Sequence, residues 1–294
     1  MIDRVFCECK IPFRNSKYSN HLYSNFVHVY CLVYKERLNV SYRRFTKIAE
    51  DLQLNRLLGV KKVPHFTTIQ KFLQKTSKTL FHKLVRACAR LLDLNNVKAS
   101  VDGTGFSNTN PSHYYSKRVD GVKVKNFTKT VLLTDNKTKL VLDLKTHSTH
   151  KNETLDFIPL VRQLKKRLSL VLADKGYDSM KNRKYCWTNN IETHIPLREW
   201  KQTAKKYGLK THVKGKQRKK ALKLFNPQEY RYRAIVESVN SAIKRTLGSH
   251  VNSRKPRNQQ KQVTIKALTY NLEVLTKTIK LTITITYQTI STEP

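Results

Sequence analysis

The sequence predicts an α/β architecture, a mixed sheet covered by helices, behind an all-helical N-terminal region. Three observations predict it. The first 94 or so residues carry apolar side chains at the three- and four-residue spacing of helices. From about Asn95 the apolar period drops to two, as strands require. Past Glu153, short apolar strands alternate with helical stretches, a pattern that buries a sheet between helical layers.

In the helical region, Phe45, Ile48, Ala49 and Leu52 form one stripe, and after Pro64 a longer one runs from Ile69 through Phe72, Leu73, Leu80, Phe81, Leu84 and Cys88 to Leu91 and Leu92. Thr67 stands three residues before Gln70, the spacing of a capping box, which predicts a helix start there. A turn bearing Gly59 and Pro64 separates the two stripes. The pair reads either as a helix-turn-helix, with Thr67, Thr68, Gln70 and Lys71 on the leading edge of a recognition helix, or as a bundle that merely packs.

Val97, Ala99 and Val101 then alternate up to Asp102, and Gly103-Thr104-Gly105 predicts a flexible turn that leaves this carboxylate at a strand edge. Residues 127–134 and 140–146 predict a hairpin turning at Asp135-Asn136-Lys137. An amphipathic helix over 153–168, a strand over 170–173 ending at Asp174, a helix after Tyr177 and a strand near 191–196 follow. Residues 198–223 break the order with eleven Lys and Arg against the single Glu199. Such a run reads as a solvated segment or as a phosphate-tracking one, with Lys216, Arg218, Lys219 and Lys220 its densest part. The chain closes with a helix over 258–275 and a Thr/Ile alternation over 278–286 that suits an edge strand or a frayed tail.

Composition narrows the function. With 58 Lys and Arg against 20 Asp and Glu, the 294 residues carry a formal net charge of +38, which argues against an ordinary small-metabolite enzyme. A charge of this size self-repels unless a polyanion neutralises it, so nucleic acid is the expected partner. At 39% hydrophobic residues the chain has enough core formers to fold rather than remain a basic tail. Five scattered Cys suit a reducing compartment, and neither a signal peptide nor a membrane-length apolar run is visible. Cys7, Cys9, His28 and Cys31 are zinc-ligand types, but C-x-C with H-x-x-C is not a standard finger spacing, so ordinary thiols are the simpler reading. His147 and His150 follow the hairpin and stand as secondary candidates for touching substrate.

The chemistry concentrates in residues 230–244. At about 100° per residue, Tyr230, Arg233, Glu237 and Lys244 fall on one face of a helix, with Ile235, Val236, Val239 and Ile243 opposite. An i, i+4 salt pair explains Arg233 with Glu237 without any function. It leaves Asp102 and Asp174 unexplained, each placed directly after an apolar strand. Three carboxylates converging from separate elements repel unless divalent cations sit between them, and two such ions can drive an in-line displacement at a phosphodiester.

Tyr230, Arg233, Glu237 and Lys244, with two, three and six residues between them, resemble the Y-R-E-K signature of DDE transposases from bacterial and archaeal insertion sequences, the group numbered four and five among those families. Val101-Asp102-Gly-Thr-Gly-Phe106 resembles that family's first-aspartate motif and Leu172-Ala-Asp174-Lys-Gly-Tyr-Asp178 its second. The resemblance implies a ribonuclease H-like mixed sheet flanked by helices over 95–282, with a basic insertion at 197–228, a helical DNA-end recognition domain over 1–94 and a tail over 283–294. It further implies that Asp102, Asp174 and Glu237 bind catalytic Mg²⁺, for which Mn²⁺ can substitute, while Tyr230, Arg233 and Lys244 contact DNA. The activity so implied is binding of terminal inverted repeats, strand cleavage and strand transfer on double-stranded DNA, by a homodimer on paired ends at the nucleoid of a prokaryotic cytoplasm. A catalytically inactive DNA-binding descendant is the alternative.

Overall fold

The computed structural model describes residues 1–14, 22–108, 127–149, 151–198 and 216–291, the side chains of 217, 218 and 280–291 excepted. Contacts divide the chain into two compact units, one drawn from Met1–Asp93, Phe106–Thr128 and Ala242–Pro294, the other from Leu94–Gly105 and Lys129–Ser241.

The first unit is helical, with α1 (Ile2–Cys9), α2 (Asn25–Leu38), α3 (Tyr42–Asp51), α4 (Leu54–Leu57), α5 (Phe66–Lys75), α6 (Lys78–Arg90) and a long final helix over Pro256–Ser291. Its core holds Leu32, Phe45, Ile69, Phe81, Leu84 and Leu268, all buried, so most of both predicted stripes faces inward, while Leu52 at the end of the first is 58% exposed. The second stripe is two helices rather than one. Thr76 adopts an extended backbone and Ser77 caps α6 by accepting from Thr79 N at 3.2 Å. The expected capping box does not form. The helix starts one residue before Thr67, whose hydroxyl pairs with His65 Nδ1 at 2.8 Å. Between the two stripes, α4 intervenes and α3 packs on α5.

A buried charge network ties α2 to the final helix. Glu36 takes Lys35 Nζ at 2.8 Å and Lys266 Nζ at 3.1 Å, and Gln262 Nε2 donates to it at 3.1 Å. Burial alone would push the Glu36 carboxyl up, but the two ammonium groups outweigh it and hold the carboxyl below its usual range. The Thr/Ile alternation over 278–286 is neither a strand nor a frayed tail, because the final helix continues through it. The hydroxyls of Thr264, Thr269, Thr276 and Thr278 each donate to the carbonyl four residues earlier, which lets these β-branched residues sit in helical backbone.

The second unit is built on a mixed sheet of β1 (Val97–Asn108), β2 (Phe127–Asp135), β3 (Val141–His147), β4 (Leu168–Ala173) and β5 (Glu192–His194), in spatial order β3-β2-β1-β4-β5. The hairpin β2–β3 is antiparallel as predicted, with Asp135 Oδ2 accepting from Thr138 N at 2.8 Å to fix its turn. β4 is parallel to both β1 and β5. The strand carrying Asp102 does not end there, since β1 runs on through Gly103 and Gly105 and its tip pairs with the short β6 (His250–Val251). Helices α7 (Thr154–Leu164) and α8 (Met180–Thr188) supply the layers around a core of Val101, Leu144, Phe157, Leu160 and Leu172. Beyond residues 199–215, which lie outside the described residues, come α9 (Lys216–Leu224), α10 (Pro227–Tyr230), a 3₁₀ turn over Arg231–Arg233 and α11 (Ala234–Leu247). The Y-R-E-K face is thus two helices joined by one tighter turn, not a single regular helix.

Candidate active site

Two aspartates are set by strand register. Val101 of β1 pairs with Ala173 of β4 in parallel, so Asp102 and Asp174 follow at matching positions on neighbouring strands, whose backbones run about 4.8 Å apart. Asp174 leaves its strand at once and caps the following 3₁₀ turn, its Oδ1 accepting from Lys175 N at 2.7 Å. That turn is pinned from behind. Asp178 Oδ1 takes the fully buried Arg183 Nε at 3.1 Å, Asp178 Oδ2 takes Arg198 N at 2.9 Å, and Arg183 Nη2 donates to Ile195 O at 2.6 Å.

The third acid arrives on α11. Arg233 Nη2 lies 2.5 Å from Glu237 Oε1, one helical turn on, and Arg233 Nη1 lies 4.0 Å from Asp102 Oδ1. The i, i+4 pair expected from spacing therefore exists, but its guanidinium also faces the strand aspartate. Asn240, three residues past Glu237, donates Nδ2 to Asp102 Oδ2 at 3.3 Å. Tyr230 stands beneath Arg233, whose Cζ lies 6.0 Å from its ring centroid. Burial pushes the Tyr230 hydroxyl up, the Asp174 carboxylate adds to that rise and Arg233 opposes it.

Burial also pushes the Asp102 carboxyl up to about 6, against the pull of the Gly103 amide and Arg233 and with the push of the Glu237 and Glu153 carboxylates. Glu153 was not foreseen as a member of this site. It precedes α7, where an acid is unremarkable in a sequence, yet Tyr177 Oη donates to its Oε2 at 3.0 Å and Lys129 Nζ lies 3.0 Å from its Oε1. Asn240 was not foreseen either, although its spacing of three from Glu237 puts it beside the Y-R-E-K face.

Among the described residues no three His, Cys, Asp or Glu side chains stand close enough to hold a metal ion as they are. Arg233 stands between Asp102 and Glu237, so a cation shared by them has to draw Glu237 off the arginine. The donor set nevertheless suits a hard divalent cation: all the ligand candidates are carboxylates, Asp102 is only 21% exposed and Glu237 is 52% exposed with room to turn. Beside them Asn240 Oδ1 is buried without a hydrogen-bond partner, an acceptor that a hydrated cation would satisfy.

Lys244 belongs to the helical unit, its ammonium 5.6 Å from the Phe106 ring centroid. Lys216 and Lys219 are exposed on α9, Lys220 stands 5.2 Å over the Trp187 ring, and the side chain of Arg218 lies outside the described residues with the rest of the basic run over 199–215. Thr67 and Thr68 are half-buried on α5, with Gln70 and Lys71 exposed. Cys31 is a core thiol pushed by burial up to about 12, His28 stacks on Phe72, Cys9 donates to Lys83 O and Cys7 is exposed. His147 is held by the buried Asp156 at 2.7 Å, and His150 lies outside the described residues.

A family model described as "Transposase DDE domain" matches residues 96–272. No curated protein matches the sequence. Among solved structures, a piggyBac transposase synaptic complex with hairpin DNA is similar at 10% identity, covering 94% of this chain and 71% of that one with a TM-score of 0.47. A Mos1 transposase paired-end complex with left transposon end matches at 12% identity, with 82% and 83% of the chains covered and a TM-score of 0.26. A Mos1 mariner paired-end complex with Mn matches at 12% identity, with 84% and 86% covered and a TM-score of 0.27. No helix among the described residues is long and apolar enough to cross a membrane.

Proposed function

We propose, from the premise that this chain belongs to the transposase DDE domain family, that it is the transposase of an insertion sequence, which binds the terminal inverted repeats of its element and cuts and joins DNA strands there. The observation that carries the reading is the placement of Asp102 and Asp174 at matching positions on two parallel strands, with Glu237 linked to Asp102 through Arg233.

Asp102, Asp174 and Glu237 would hold the divalent cations, Mg²⁺ or Mn²⁺. When bound, these ions supply an activated water or 3′-hydroxyl and stabilise the leaving oxygen at a phosphodiester. The chain's own groups do the rest. Asn240 keeps Asp102 turned toward α11, and its free acceptor suits a proton from a bound water. With Glu237 held by a cation, the planar fork of Arg233 would be free for a DNA phosphate, and the Tyr230 ring beneath it offers a stacking surface with a protonated hydroxyl. Lys244 adds a point charge for phosphate. Lys216, Arg218, Lys219 and Lys220 add sequence-independent attraction, and Thr67, Thr68, Gln70 and Lys71 form the base-reading edge of α5, on a dimer that pairs two ends.

Incubating the purified protein with DNA carrying the flanks of its own gene, with Mg²⁺ or with chelator, tests this. Metal-dependent nicks at the repeat termini are expected. Tight binding with no cleavage in Mg²⁺ would instead assign the inactive DNA-binding role.

A further inference from the structure

We infer that Glu153 is a positioning residue for the carboxylate pair, bracing the strand of Asp102 against the turn that follows Asp174; this rests on the reading of Asp102 and Asp174 as cation ligands. Its carboxylate touches both motifs. Tyr177, three residues past Asp174, donates its hydroxyl to Glu153 Oε2 at 3.0 Å. Gly103, adjacent to Asp102, lies so near that a Cβ built on it would come within 2.2 Å of the same oxygen. Gly103 is not among the positive-φ residues, so a Cβ there would meet no backbone strain and would instead push the Glu153 carboxylate aside.

The other oxygen is engaged as well. Lys129 Nζ of β2 lies 3.0 Å from Oε1 and also donates to Lys151 O at 2.8 Å. With Tyr177 on one oxygen and Lys129 on the other, both Glu153 oxygens are engaged and its charge is paired, which suits a brace. The next residue doubles the tie, since Thr154 Oγ1 donates to Gly176 O at 2.8 Å. Asn182 Nδ2 closes the same turn by donating to Tyr177 O at 3.0 Å. Residues 152–154 thus join β2, the Asp102 strand and the Asp174 turn through one side chain. Without it, the Asp102 strand and the Asp174 turn would lose the side chain they share, while a divalent ion demands ligand placement to a few tenths of an ångström.

The test is Mn²⁺ affinity of the full chain without DNA, measured by calorimetry, beside melting temperature. Glu153→Ala should weaken Mn²⁺ binding about 10- to 100-fold, the usual effect of losing a group that orients a ligand. Glu153→Gln, which keeps its size and an acceptor for Tyr177, should restore part of that affinity, a rescue that a loss of folding stability does not predict. Should Glu153→Ala fail to fold, Tyr177→Phe removes a single hydroxyl and should weaken Mn²⁺ binding in the same direction. Binding that is lost in Asp102→Asn and Asp174→Asn but parent-like in Glu153→Ala, or in Tyr177→Phe where the alanine variant does not fold, overturns the brace alone. Binding that survives both aspartate variants overturns the ligand reading and the brace with it.

Discussion

Asp102 and Asp174 stand one residue beyond the paired positions Val101 and Ala173 on adjacent parallel strands, so backbone register brings the two positions side by side. The Glu237 and Glu153 carboxylates that face Asp102 raise its cost of ionisation unless a positive charge compensates. In the structure Arg233 supplies part of that charge, 4.0 Å from Asp102 and 2.5 Å from Glu237. The fold therefore keeps an acidic edge within a chain of net charge +38.

The raised Asp102 carboxyl predicts a pH-dependent stability. Because its folded value, about 6, lies above the ordinary 3.8, the folded protein holds this proton more tightly than the unfolded chain. The contribution is fully present below pH 3.8 and is lost as pH rises through about 6. In chelator, Asp102→Asn should thus be more stable than the parent at pH 7, by up to about 2–3 kcal/mol, with the advantage shrinking toward pH 4. Denaturant titrations across that range check it, and a difference independent of pH would contradict it.

Arg233 and Lys244 should matter for DNA rather than for folding. A helical salt pair contributes only about 0.3–0.5 kcal/mol, so Arg233→Ala and Lys244→Ala should barely change the melting temperature. Cleavage should fall at least tenfold in each. A lowered melting temperature with normal specific activity of the folded fraction would assign both residues to packing.

Neutralising Lys216, Arg218, Lys219 and Lys220 together should weaken binding to all DNA sequences about equally. The dependence of log affinity on log salt should flatten by up to about 0.9 for each lost phosphate contact. Titrations at several salt concentrations read this directly, and an unchanged slope means that α9 does not touch the backbone.

Glu36 should be the most sensitive charge in the helical unit. Glu36→Gln leaves Lys35 and Lys266, 3% and 1% exposed, without their counter-ion. A loss of about 3–5 kcal/mol in denaturant unfolding is expected. A loss below about 1 kcal/mol would mean that the two lysines find water or deprotonate at little cost.

Much of this architecture was legible in the sequence where a local pattern decides structure. The strands before Asp102 and Asp174 and the hairpin turn at Asp135 announce themselves by period and turn chemistry. The Thr/Ile run over 278–286 misled for the same reason: its period of two suits a strand, but the final helix continues through it, with the Thr278 hydroxyl bonded back to the carbonyl four residues earlier. Thr67 and Gln70 have capping-box spacing, yet the helix begins before them. Gly103 reads as part of a turn because the approach of a distant side chain leaves no trace in local sequence. Glu153 was invisible as a site residue on the same ground, since its partners lie 24 residues away or more along the chain.

The most direct test of the central claim is DNA cleavage in Mg²⁺ or Mn²⁺ by Asp102→Ala, Asp174→Ala and Glu237→Ala, with DNA affinity measured in parallel in chelator. All three should lose strand cleavage and strand transfer together, by at least a thousandfold, while binding DNA nearly as the parent does, because each supplies a ligand to the same cations. Near-parental turnover in any one of them would remove that residue from the site, and turnover in all three would contradict the account.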